Sequence, residues 1–278
     1  MRRLTRIDEV RSWRRERAGT VGLVPTMGAL HAGHLSLVDA ARRENDRVVV
    51  SVFVNPTQFG PREDYARYPR DLRKDEALLE RARADAVFAP SVEAMYPPRM
   101  ETTVDVGSVA VPLEGERRPG HFRGVATVVL KLLGIATPDR AYFGEKDAQQ
   151  LAIVRRLVAD LDVPVEIRAC PIVREPDGLA LSSRNAYLSP AERRAAAVLF
   201  RALRAAEEAW RAGERHGHAL EDAMKTTLQR EALARVDYAA VADPVSFRAV
   251  DVAEGPVRLL LAVYVGETRL IDNLLLAP

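Results

Sequence analysis

The stretch Val21-Gly-Leu-Val-Pro-Thr-Met-Gly-Ala-Leu-His-Ala-Gly-His34 decides how the rest of the chain is read. Its apolar run, Val21 to Val24, predicts a buried strand. Pro25, Gly28 and Gly33 break that run into a loop, after which Leu35, Val38 and Ala41 recur at helical spacing. Strand, glycine turn and helix start together form an anion site, because the first helical N–H groups are unpaired and the helix dipole is positive there. His31 and His34 add donors that can become cationic. Gly33 between them lets a ligand approach the backbone. The pattern points to a nucleotide-phosphate site. Zinc is the competing use for paired histidines, but it needs further ligands, and neither Cys170 nor His121 stands at a ligand spacing.

Outward from this stretch, composition narrows the field. The 278 residues suffice for one large domain or two ordinary ones. Hydrophobic residues make up 47% and charged residues 29%, an ordinary globular balance. The net charge of +2 lacks the basic excess of a dedicated nucleic-acid binder, so no nucleic-acid partner is expected. The basic start, Met1 to Arg6, leads into no apolar signal-peptide core, and no apolar run reaches transmembrane length. With a single cysteine, no intrachain disulfide forms. The expectation is a cytoplasmic protein without membrane partners.

Residues 2–18 predict an N-terminal helix, and Arg47 to Val54 a second buried strand, too continuously apolar to be half exposed. Phe59 to Tyr68 reads as a mobile loop. A helix is expected over Asp71 to Ala84, strands over Ala86 to Ala89 and Thr102 to Val106, and a strongly apolar helix over Arg123 to Ile135. Tyr142 and Phe143 form a short strand. Ala148 to Leu161 form a helix, followed by a strand over Val163 to Ile167. Strands alternating with helices, with ligand-like residues at the strand ends, predict an α/β doubly wound parallel-sheet, Rossmann-like domain over residues 1–177.

The pattern then changes. Ser189-Pro-Ala-Glu192 has the form of a capping box with proline at the first helical position, opening an alanine-rich helix to about Ala212. A helix over Leu220 to Leu233 and strands over Val236–Ala242, Val257–Val265 and Thr268–Leu275 make residues 178–278 a smaller α+β domain, expected to close over the site.

Further chemistry lies at the strand ends. Asn55 and Gln58 are neutral hydrogen-bonding groups suited to a small hydroxy acid. In Gly144-Glu-Lys-Asp147, Lys146 can meet a phosphate as a point charge, and Asp147 can accept from ribose or simply cap a helix. Gln149 and Gln150 open the next helix, where one of them can face a ligand. Ser182, Ser183 and Arg184 present two hydroxyls and a guanidinium, a set that clamps polyphosphate oxygens or makes an ordinary linker. Arg123 can reach a carboxylate. His216 and His218 read as solvent exposed, and Cys170 as buried packing. With no nucleophile–base dyad apparent, the chemistry indicated is nucleotide-dependent transfer by positioning and charge stabilisation.

Four blocks resemble the pantothenate synthetase (pantoate–β-alanine ligase) family: Pro25 to His34, Val52 to Gly60, Tyr142 to Gln150 and Val173 to Asn185. His-x-Gly-His alone marks a broader nucleotidyltransferase group that includes class I aminoacyl-tRNA synthetases. The four blocks in order are specific to this family. The resemblance implies a nucleotidyltransferase-type Rossmann domain that adenylates pantoate with ATP and Mg2+ and then passes the acyl group to β-alanine. It implies that Met27, Gly28, Ala29, Leu30, His31, Ala32, Gly33 and His34 lie along ATP, with His34 as proton donor and His31 on the phosphates. Gln58 and Gln150 would bind pantoate, with Asn55 and Thr26 beside them and Gln58 also near β-alanine. Gly144, Glu145, Lys146, Asp147 and Val173 would hold the adenosine, with Lys146 on phosphate. Leu181, Ser182, Ser183 and Arg184 would bind phosphates. The magnesium would be carried mainly by the ATP phosphates, and a homodimer is implied. Leu181 stands where many members have methionine, a swap of similar volume. The alternatives are a cytidylyl- or adenylyltransferase, which would release a stable nucleotide product and no AMP, and a non-catalytic ATP-binding regulator.

Overall fold

The fold is described from a computed structural model that covers every residue except Arg17, Arg62 and Pro278. The chain divides into two compact units. The first comprises residues 1–145 and 149–171, and the second residues 146–148 and 172–278. Residues 172–177, placed in the first domain by the sequence, cluster with the second. The tie is Arg174, whose guanidinium grips Asp272.

In the first unit, β1 (Arg2–Leu4), β2 (Val21–Thr26), β3 (Arg47–Val52), β4 (Ala86–Phe88), β5 (Arg140–Gly144) and β6 (Glu166–Cys170) form one six-stranded sheet in the order β1-β4-β3-β2-β5-β6. Every pairing is parallel. Around it run α1 (Ile7–Arg15), α2 (Ala32–Glu44), α3 (Leu72–Arg81), the single turns α4 (Val92–Met95) and α5 (Glu114–Arg117), α6 (His121–Ala136) and α7 (Ala148–Asp160). Val48, Val49 and Val50 are all fully buried, so β3 is covered on both faces, as a continuous apolar run requires. Val24, Val48, Val50 and Val87 join α2 and α3 through Leu37, Val38, Ala41 and Leu79 in one core. The chain steps from β2 to β3 and β4, then returns to the other side of β2 for β5. The carboxyl ends of β2 and β5 therefore flank the point where strand order reverses, the ligand-binding position of such sheets.

The second unit carries α8 (Pro190–Ala195), α9 (Val198–Arg211) and α10 (Gly217–Gln229) with an antiparallel sheet of β7 (Ala234–Ala242), β8 (Val257–Val265) and β9 (Thr268–Leu276) in that order. Leu199, Leu203, Trp210, Leu220 and Met224 pack with Val241, Leu259 and Leu261 in its core. The fold is thus an α/β doubly wound domain plus a smaller α+β unit.

Four local expectations are corrected. Residues 2–4 form an edge strand on β4 ahead of α1, too short and too charged to read as one; residue 17 of the expected helix lies outside the described residues. Thr102–Val106 is not a strand, because its backbone is served by side chains instead of a neighbouring ladder: Val104 N–H donates to Thr127 Oγ1 at 2.9 Å. The strand expected over residues 163–167 begins at Glu166, since Pro164 offers no ladder donor. The helix expected from Ser189 to Ala212 is two. The Ser189 capping box opens α8 as predicted, but at Ala196–Ala197 the Leu199 N–H bonds three residues back to Ala196 O at 3.2 Å.

Candidate active site

The loop from Met27 to His31 leaves the carboxyl end of β2 with Gly28 at φ 83° and Ala29 at φ 50°. Gly28 is required there: a Cβ would sit 2.8 Å from Asp75 Oδ2, in addition to the left-handed strain. Asp75, on α3, accepts from Ala29 N–H at 3.0 Å and Leu30 N–H at 2.8 Å, holding the loop from below. Burial pushes its carboxyl up, against the pull of those two donors. Thr26 begins the same turn: its hydroxyl donates to Ser51 O at 2.7 Å and accepts from Gly28 N–H at 3.2 Å. Both bonds run to the backbone, so Thr26 shapes the loop and keeps one acceptor lone pair on its hydroxyl.

The two imidazoles form a reciprocal cap on α2. His31 is the N-cap residue and its Nδ1 accepts from Gly33 N–H at 3.2 Å, while His34 Nδ1 accepts from His31 N–H at 3.4 Å. The rings lie 4.1 Å apart between centroids. A nitrogen that accepts carries no proton, so each capped neutral ring holds its hydrogen on Nε2. This reciprocal cap needs no positive charge on either ring.

Asn55 and Gln58, beyond β3, are both buried, at 1% and 9% exposure. Asn55 Nδ2 donates to Gln58 Oε1 at 3.0 Å and to Gly124 O at 3.2 Å, and Tyr96 Oη donates to Asn55 Oδ1 at 2.7 Å. Among the described residues the acceptor facing Gln58 Nε2 is a soft one, Met27 Sδ at 3.2 Å, which leaves its amide with donor capacity. The Gln58 carbonyl is held separately. A carbonyl only accepts, so His121 Nδ1 donates to it at 2.8 Å, and His121 Nε2 accepts from Arg118 Nη1 at 3.0 Å. Arg118 forks onto Glu63 at 2.6 and 3.0 Å. The expected mobile loop, of which residue 62 lies outside the described residues, is thereby tied at Glu63 and packed inside by Phe59, Tyr65 and Tyr68.

Burial, and after it the Arg118 charge, lowers the His121 pKa to about 4. The unfolded ring titrates near 6.5, so the unfolded state gains protons first as the pH falls. The neutral ring's contribution is complete above about pH 6.5 and is lost toward pH 4, an upper bound of about 3 kcal/mol. His121→Asn keeps the donor to Gln58 O and cannot titrate. Its urea midpoint is expected to vary less with pH across that window than the wild type's; parallel curves would assign the pH dependence elsewhere.

Gly124 lets α6 approach this segment. A Cβ there would stand 2.3 Å from Thr57 O and 2.7 Å from Gln58 N. Gly124→Ala is expected to destabilise by about 2 kcal/mol in urea unfolding, despite alanine's better helix propensity, because backbone must move.

Of the remaining predicted residues, Gly144, Glu145 and Gln150 lie in the first unit, while Lys146, Asp147, Val173, Leu181, Ser182, Ser183 and Arg184 lie in the second. Gln149 is buried and ties α7 to the segment before α5, donating to Val109 O at 3.0 Å and Pro112 O at 2.8 Å; Gln150 is half-buried. In the second unit, Leu181 N–H donates to Val173 O at 3.0 Å, and Ser182 Oγ accepts from Arg184 N–H at 3.3 Å, so the serine caps the turn that carries the arginine. Arg123 pairs with Asp105 at 3.0 Å on the surface, which gives it a structural partner. His216 and His218 are exposed and Cys170 is buried, as expected.

Sequence reading missed Asp75, Tyr96, Arg118, Glu63 and the buried role of His121. A signal existed for Asp75: it lies four residues before Leu79 on the apolar stripe of α3, where a carboxylate needs partners.

The sequence profile of a family described as Pantoate-beta-alanine ligase matches residues 2–275. A pantothenate synthetase of Roseiflexus sp. (strain RS-1) is 60% identical over 99% of both chains, and one of Thermotoga neapolitana is 52% identical over 99% of this chain and 100% of its own. The crystal structure of pantothenate synthetase from Thermus thermophilus superposes with a TM-score of 0.95 at 51% identity, covering 100% of both chains. A pantoate-beta-alanine ligase from Francisella tularensis, complexed with beta-gamma ATP and beta-alanine, matches at a TM-score of 0.82 and 37% identity over 99% of this chain and 97% of that one.

Proposed function

Since this chain belongs to the pantoate–β-alanine ligase family and is an enzyme of that type, we propose a reaction course in which each candidate residue has a stated task. The overall conversion joins pantoate to β-alanine and forms pantothenate; a cytidylyl- or adenylyltransferase reading is not favoured. In the first step a pantoate carboxylate oxygen attacks the α-phosphorus of ATP. The bond from that phosphorus to the bridging oxygen breaks, pyrophosphate leaves, and pantoyl adenylate forms. In the second step the neutral amine of β-alanine attacks the acyl carbon, sheds a proton, and AMP leaves.

The observation that carries this reading is the imidazole cap of α2 at the carboxyl end of β2, with Asn55 and Gln58 at the end of β3. Anion attacks anion in the first step, so catalysis depends on charge stabilisation by groups already in place. His31 and His34 would supply Nε2–H donors to phosphate oxygens, and the peptide N–H groups of α2 would add their dipole. Met27 to Leu30 would lie along the nucleotide, held in shape by Asp75. Gln58 and Gln150 would bind pantoate, with Asn55 orienting Gln58. Lys146 and the Leu181, Ser182, Ser183 and Arg184 segment would bind the phosphates, and Gly144, Glu145, Asp147 and Val173 would hold the adenosine.

Among the described residues no group of three or more His, Cys, Asp or Glu is placed to hold a metal. The proposed magnesium ion would keep several waters and be carried mainly by the triphosphate. Bound there it would neutralise phosphate charge. A cytoplasmic homodimer remains part of the proposal; no described helix is long and apolar enough to cross a membrane.

The deciding assay measures AMP with ATP, pantoate and β-alanine present, each omitted in turn. Pyrophosphate formed from ATP and pantoate alone, with AMP release awaiting β-alanine, is the expected outcome. AMP formation indifferent to β-alanine would remove the ligase course.

A further inference from the structure

The second unit contains a buried polar block with no place in the reaction as written. Asp272 and Asn273 sit in the middle of β9, each 2% exposed, flanked by Leu270, Ile271, Leu274 and Leu275. Arg174 forks onto Asp272 at 2.6 and 2.9 Å and lies over the Phe200 ring, 4.3 Å from its centroid. The same guanidinium donates to Gly178 O at 3.0 Å and to Asn273 O at 3.3 Å. Asp272 Oδ1 also accepts from Asn273 N–H at 2.8 Å, and Arg258 donates to Asn273 Oδ1. That leaves the Asn273 amide N–H₂, which donates to the main-chain carbonyl of Lys146 at 2.9 Å.

An ion pair this deep is a weak source of stability, because desolvation offsets most of its attraction and apolar residues of similar volume serve as well. What it does supply is fixed geometry. Its donors end on two main-chain segments, Lys146 in Gly144-Glu-Lys-Asp147 and Gly178 in the turn that leads into Leu181–Arg184. Both segments carry proposed phosphate-binding side chains. Lys146 has no regular ladder of its own: residues 145–147 form one tight turn between β5 and α7. A flexible ammonium on a loosely held backbone is a poor electrostatic catalyst, since misplacement by about 1 Å costs on the order of a hundredfold in rate.

We propose that Asn273 is a positioning residue for adenylate formation. It acts through Lys146 by fixing that residue's carbonyl, while the Asp272–Arg174 pair fixes Asn273 and the 174–181 turn. The proposal rests on Lys146 meeting phosphate, as set out above.

The test is a double-mutant cycle on pyrophosphate release from ATP and pantoate. Asn273→Asp keeps the Oδ1 acceptor for Arg258 and loses the donor to Lys146. It is expected to lower kcat by about tenfold to a hundredfold, with the pantoate KM unchanged and the thermal melt still cooperative. In a Lys146→Ala background the same substitution should change kcat by no more than about twofold, since two positions acting through one interaction are not additive. Should Asn273→Asp melt early, Asn273→Leu, an apolar residue of similar size, serves in the same cycle. Equal fold-losses in both backgrounds, or a wild-type kcat for Asn273→Asp, overturn the proposal while leaving Lys146 its role. A Lys146→Ala enzyme as fast as the wild type instead removes the phosphate role of Lys146, and the positioning role with it.

Discussion

Replacing His34 with alanine is expected to slow pyrophosphate release by about a thousandfold while the protein still folds. His34 Nδ1 is occupied by the His31 N–H, so the remaining polar edge of the ring is a fixed Nε2–H donor in the first turn of α2. Loss of one preorganised donor at an oxyanion costs about a hundredfold to a thousandfold. Here the ring also holds the backbone of His31, so both imidazoles lose their register together. The cap itself contributes only about 1 kcal/mol to stability. His34→Asn separates the two roles. Its side-chain oxygen can accept from His31 N–H and restore the melting temperature, yet it has no donor where Nε2 was, so the rate should stay low. Pyrophosphate release at the wild-type rate by folded His34→Ala would end the catalytic assignment. Equal recovery of rate and melting by His34→Asn would reduce the residue to a helix cap.

Gln58→Ala is expected to raise the pantoate dissociation constant by about fiftyfold and to leave that of ATP within about twofold, as read by titration calorimetry. The magnitude follows from losing one buried hydrogen bond to a charged or strongly polar ligand group, about 1.5–3 kcal/mol. The selectivity follows from position. Gln58 lies after β3 with its amide N–H₂ against the Met27 thioether, and its oxygen is held by Asn55. Its main-chain carbonyl stays on His121 in the variant, so the segment keeps its path. Matching losses for both ligands would mean that the substitution disorders the site generally and that Gln58 does not select pantoate.

These two expectations draw on different kinds of information. His31 and His34 were legible because the features around them are local: an apolar run, a proline, a glycine and a helical repeat all fall within a few residues of the motif. Local steric and hydrogen-bonding rules act on neighbours in the chain, and a linear reading sees neighbours. The capping box at Ser189 was legible for the same reason, and so was the burial of β3, whose valines leave no polar face. Where local pattern and tertiary context conflict, context wins. Thr102–Val106 looks like a strand, but strands need a neighbour, and its backbone donor went to Thr127 instead.

By itself, then, the sequence determined the alternating parallel architecture, the loop at the end of β2 and the family, and it named the candidate residues for the site. Only the tertiary structure decided how those residues are held: Asp75 beneath the loop across 45 residues of chain, His121 on the Gln58 carbonyl across 63, and Asn273 on Lys146 across 127. The reason is physical. A main-chain carbonyl or N–H is the same group at every position, so nothing in the sequence marks which one a distant buried side chain will hold. That pairing is fixed only when burial removes water and each polar group must take the partner the packed chain places beside it.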